Sequence, residues 1–151
     1  MIIFTPNTVI RSTEVNSNFN EVDGRLDLLE SPVYAYGTLG GELSGNKTFT
    51  ETANNGITKT SATVYTIATA GLYIFHAQQL MNTTGATNFW SYVNGTGIHH
   101  GWQQTQQNDM ITTFTRQLAV GDTVTCGCDT GVATVWTGSH SVYYLNLINR
   151  T

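Results

Sequence analysis

The hydrophobic period of this chain changes at Pro32, and that switch limits the folds open to it. Before Pro32, Val15, Phe19, Val22, Leu26 and Leu29 recur at spacings of 4, 3, 4 and 3. That spacing places apolar side chains on one narrow seam of a helix, which needs a partner helix. After Pro32, apolar residues alternate with Thr, Ser, Asn and Gln in short runs, the pattern of a sheet with one buried face. The sequence therefore divides into an anchor and helical neck over 1–32 and a β head over 33–151.

The seam fits heptad positions, with Val15, Val22 and Leu29 at d and Phe19 and Leu26 at a. Arg25 then falls at g and Glu30 at the next e, the spacing of an interhelical ion pair. About 17 residues give a rod of roughly 25 Å, which is marginal in isolation. The alternative is an amphipathic helix lying on its own β domain.

Charge is distributed unevenly. Of six basic and ten acidic residues, seven lie in the first 30 positions, leaving nine for the other 121. The head must stay wet through hydroxyls and amides, which the chain's 26 Thr and 13 Asn supply. A net charge of -4 gives no basic footprint for nucleic acid. No run approaches 18 apolar residues, so no membrane insertion is expected, and the N-terminus lacks the basic and apolar regions of a secretory signal. Cys126 and Cys128, two apart on one face of a strand, are read as reduced core residues, because a disulfide across one residue would be strained there.

The head shows turn-bounded segments near 33–37, 48–52, 62–68, 71–81, 88–93, 97–103, 110–119, 122–128 and 141–148, with a strong hairpin signal at Asn94-Gly95. Eight or nine strands in this length predict an all-β sandwich or jelly roll. Tyr73 and Phe75 should face the core, leaving Leu72, Ile74 and His76 on the opposite face. The closing segment is apolar on both sides, with Tyr143, Leu145 and Leu147 on one and Val142, Tyr144 and Ile148 on the other. A subunit interface explains that second apolar face.

Two resemblances extend this reading. The stretch from Asn7 to Asn20, with its Val-Asn-Ser-Asn-Phe-Asn core at 15–20, resembles a segment near the N-termini of bacteriophage tail-fibre and other virion proteins. It implies a virion location, with an N-terminus that attaches to the particle. Ile2, Ile3 and Phe4 are then the candidate anchor into capsid, portal or tail proteins. Gly71-Leu-Tyr-Ile-Phe75, Leu118-Ala-Val-Gly-Asp-Thr-Val124 and Trp136-Thr-Gly138 before 143–147 resemble, in order and spacing, the complement C-one-q and tumour-necrosis-factor-like jelly rolls. That resemblance implies a homotrimeric jelly-roll head; with the helical seam read above as a short coiled coil, the expected trimer interface is Val15, Phe19, Val22, Leu26, Leu29, Leu72, Ile74 and His76.

Catalytic chemistry finds no support in the sequence. Asp122 in Val-Gly-Asp reads as a turn-former, and adjacent His99 and His100 on a strand point to opposite faces and cannot share a metal. No phosphate loop, nucleophile elbow or zinc spacing occurs; neither enzyme activity nor a cofactor is expected. Trp90, Tyr92, Trp102, Gln103 and Gln104 combine aromatic faces with amides, as a saccharide-binding surface does. The alternative places Trp90 and Tyr92 in the core and the Gln-rich stretch in a solvated loop. The leading expectation is a phage structural protein, a fibre or decoration protein. The second is an adhesin for host-surface glycans.

Overall fold

The computed structural model describes residues 12–40, 45–83, 87–103, 106–128, 132–135 and 141–150. One helix, α1 (Ser12–Glu30), precedes a head of twelve strands among these residues. These are β1 (Tyr34–Gly40), β2 (Gly45–Asn46), β3 (Thr48–Asn55), β4 (Thr58–Ser61), β5 (Val64–Thr66), β6 (Gly71–Thr83), β7 (Thr87–Val93), β8 (Thr96–Gln103), β9 (Gln106–Leu118), β10 (Thr123–Cys128), β11 (Val132–Val135) and β12 (Val142–Arg150).

The strands form two antiparallel sheets packed face to face. Sheet A runs β3-β1-β12-β6-β9, with β11 pairing the end of β6 beyond β12. Sheet B runs β4-β5-β10-β7-β8, with the two-residue β2 beside β10. All nine expected segments are strands. The three additional ones, β2, β4 and β11, are short; β2 and β4 are polar (Gly-Asn and Thr-Lys-Thr-Ser), with no alternation to reveal them.

The core lies between the sheets and is rich in aromatics. Phe49 packs on Tyr65 and Tyr143 with ring centroids 4.8 and 4.7 Å away, and Phe75 lies 5.4 Å from Phe114. Alternation assigns the faces: Tyr73, Phe75 and Ala77 of β6 are fully buried, while Leu72, Ile74 and His76 are half-buried on the other side. Cys126 and Cys128 are buried and form no disulfide, and burial pushes the Cys126 thiol well above its ordinary range. Both act as small core hydrophobes, and burial disfavours the reactive thiolate of Cys126.

Polar side chains tie the turns together. Asn94 and Gly95 both take positive φ, 51° and 74°, as a primed hairpin turn requires. Asn94 donates to Asp122 Oδ1 at 2.7 Å, and Asp122 Oδ2 accepts from the Ala119 amide at 2.8 Å. These bonds hold the Asp122 carboxyl below its usual range and fix two loops at one end of the sandwich. At the neck, Asn55 Nδ2 donates to the Pro32 carbonyl at 2.6 Å, and the Leu147 amide donates to the Val33 carbonyl at 2.9 Å. The chain leaving α1 is thus fastened to the last strand of sheet A.

Candidate interaction site

The outer face of sheet A is built by four neighbouring strands. Antiparallel register sets Tyr36, Tyr144, His76 and Thr113 in one row across β1, β12, β6 and β9. The adjacent rows are Tyr34-Asn146-Ile74-Thr115 and Thr38-Val142-Gln78-Ile111. Cross-strand neighbours of this kind lie within side-chain contact. The His76 ring stacks on Tyr144 at 4.9 Å with a 12° interplanar angle, and its Nδ1 lies 2.9 Å from Thr113 Oγ1. Burial lowers the His76 pKa, against a smaller opposing hydrogen bond to Gln78. Tyr34 and Tyr36 stack 6.0 Å apart, and an open groove of about 680 Å³ runs between them, Val142 and Tyr144.

This face mixes rings and aliphatic side chains with Thr, Asn and Gln, and among the described residues nothing covers it: Tyr36 and Ile111 are both 45% exposed. Leu72, Ile74 and His76 come together on it as the alternation required. Tyr36 and Ile111 belong to it as well. The sequence reading missed them because β9 is largely polar on this side and only the β6–β9 register brings Ile111 to Gln78.

The helical seam is open too. Phe19 is 64% exposed, Val22 51% and Leu26 47%, while Val15 is half-buried. This exposure argues against a helix whose seam lies on its own β domain. The side chain of Leu29 is outside the described residues, as are Ile2, Ile3 and Phe4.

A second surface lies on the outer face of sheet B. Phe89, Ser91 and Val93 of β7 point inward, so Trp90 and Tyr92 point outward, each half-buried. They are not core residues. His100 of β8 pairs with Trp90, its ring 4.2 Å from the indole, and Tyr92 lies 6.3 Å away on the same face. A Cβ on Gly97 would sit 2.9 Å from Trp90 Cε3, so only glycine there lets the indole lie across β8. Trp102 and Gln103 end β8 opposite Asn88 and Thr87 by their backbones. Their side chains, and all of Gln104, lie outside the described residues.

At the centre of β7 the small Ser91 lies inside while Trp90 and Tyr92 lie outside. The reason is the close approach of the sheets at this edge. A Cβ on Gly101 would meet the Ile111 carbonyl oxygen at 2.5 Å, and the buried Thr112 hydroxyl lies 2.9 Å from both Ser91 Oγ and the His99 carbonyl. There is room there for a serine and not for an indole. His99 turns to the side opposite His100, with Nδ1 accepting from the Thr113 amide at 3.3 Å. Among the described residues, no group of three or more His, Cys, Asp or Glu could hold a metal ion.

The strand order and its two faces can be compared with solved structures. Murine APRIL, crystallised at pH 8.5, superposes with a TM-score of 0.63 at 11% identity, covering 76% of this chain and 99% of that one. Eiger TNF from S. frugiperda gives 0.64 at 10% identity, covering 80% and 95%. The head is a TNF-like jelly roll. No protein family matches the sequence, and no curated protein is similar to it. At such identities the likeness establishes the fold of the head and leaves its role to the surfaces.

Proposed function

We propose that the chain is the subunit of a homotrimeric, non-enzymatic structural protein of a bacteriophage virion, a fibre or decoration protein. Its N-terminus holds the particle and its jelly-roll head projects outward. The observation that carries the trimer is the double-sided apolar character of β6 and β12. Their inner residues fill the core, yet Leu72, Ile74, Val142 and Tyr144 still form an apolar outer face. A contiguous uncovered face of this kind marks a protein interface. The open seam of α1 supports the same assembly, because three short helices can share what one leaves in water. The phage assignment is supported by the 7–20 segment and its resemblance to virion N-termini.

Leu72→Asp places a carboxylate on the apolar outer face, at the end where β6 begins, where desolvation opposes association. Sedimentation velocity should then find monomers or aggregates in place of trimers, and an intact, folded trimer would overturn the interface. Deleting 1–11 should leave the trimer assembled but strip the protein from purified particles. Particles that retain it would overturn the anchor.

A further inference from the structure

We propose that the outer face of sheet B holds a binding subsite for a neutral saccharide, with the Trp90 indole as its platform and Tyr92 and His100 beside it. The inference deepens the display role proposed above. It takes from that role only its geometry: assembly through sheet A leaves sheet B facing outward.

The platform is specifically constructed. Placing an indole on a sheet surface leaves part of a large apolar ring in water, a cost that a purely structural position avoids by turning the ring inward. Here the core side of β7 is taken by Phe89, Ser91 and Val93, and Gly97 provides the space that seats the ring. His100 is exposed and its ring packs against the indole, inclined at 30°, so it supports the platform and brings a polar imidazole to the same face.

Charge narrows the ligand class. The strands that build this face, β7, β8 and β10, contain no Asp, Glu, Lys or Arg in 21 residues. A phosphate, a nucleic acid or an acidic polymer would find no lysine or arginine on these strands. What the face offers is an aromatic surface for C–H groups, with the His100 imidazole and the Thr125 hydroxyl near it for hydroxyls. That combination matches a pyranose ring, apolar on its faces and hydroxylated at its edge. A protein partner would need a far wider patch than three rings provide. In a trimer the subsite occurs three times, so weak single-site binding would be reinforced on a surface that repeats the sugar.

The test is binding of the full-length protein to an array of neutral and acidic glycans, followed by saturation-transfer NMR with the neutral glycan that binds. Trp90→Ala should weaken binding about tenfold or more, the worth of one ring contact, with thermal unfolding close to that of the parent. His100→Ala, at an exposed position, should lower affinity without affecting folding, and it serves as the readout should Trp90→Ala unfold. Binding confined to acidic glycans, no binding to any neutral glycan, or affinity unchanged in both variants would overturn the proposal. The Leu72→Asp chain should retain single-site binding while losing avidity, which separates this outcome from failure of the trimer.

Discussion

Two tyrosines in the core make a prediction whose size follows from counting protons. Tyr65 donates its only hydroxyl proton to Glu51 Oε1 at 2.8 Å, so the 2.6 Å contact with Tyr143 must be donated by Tyr143. Tyr143→Phe removes that one bond and leaves Tyr65 paired with Glu51, which should cost about 1 kcal/mol. Tyr65→Phe does more damage. It removes a bond to a carboxylate and leaves the Tyr143 hydroxyl, in a side chain only 2% exposed, without its partner. The cost should be about 2–3 kcal/mol. The double Phe variant has no stranded hydroxyl, so it should be about 1 kcal/mol more stable than the two single costs predict.

Urea unfolding followed by fluorescence, at one fixed protein concentration because assembly adds to stability, measures all three. The reasoning fails if Tyr143→Phe costs as much as Tyr65→Phe, or if the two are additive. The alkaline limb gives an independent check. Burial raises both groups, Tyr143 to about 12 and Tyr65 further, from an ordinary 10. A raised pKa means stability that is complete below pH 10 and lost as the pH rises through 10 to 12. The double Phe variant should lose less stability over that interval than the parent.

Two further outcomes follow from single residues. Burial holds His76 below its ordinary 6.5, and an adjoining copy would bury it more, while the side chains it contacts are those of Tyr144 and Thr113. Assembly should therefore be strongest above pH 6.5 and weaken as the pH falls below it. Sedimentation across pH 8 to 5 would show this, and the shift should vanish in His76→Gln. Gln79 is fully buried on the core side of β6, and among the described residues neither its amide nitrogen nor its oxygen has a hydrogen-bond partner. Gln79→Met keeps the shape and removes the desolvation cost, so it should raise stability by about 1–3 kcal/mol; an unchanged or lowered midpoint in thermal unfolding would contradict this.

Much of the head was legible because alternation is a local signal. The core positions Tyr73 and Phe75, the outward Leu72, Ile74 and His76, and the Asn94-Gly95 turn each depend on neighbours within a few residues. The short strands were not legible. Gly45–Asn46 and Thr58–Ser61 carry no apolar pattern and become strands only because β10 and β5 offer them hydrogen-bonding edges. The ligand surface was legible in composition but not in orientation. Phe89, Trp90, Tyr92 and Val93 are apolar on both sides of β7, so periodicity cannot say which side is the core.

The sequence by itself determined where a helix gives way to strands, which residues of one strand share a face, and that β6 and β12 would carry apolar residues on both sides. Each is a matter of period, and period is written along the chain. Tertiary structure alone decided which face of β7 meets the core. The approach of β8 to the backbone of Ile111 leaves space for Ser91 and turns Trp90 outward. It likewise decided that Tyr36, Tyr144, His76 and Ile111 share one face, because register joins residues far apart in the chain.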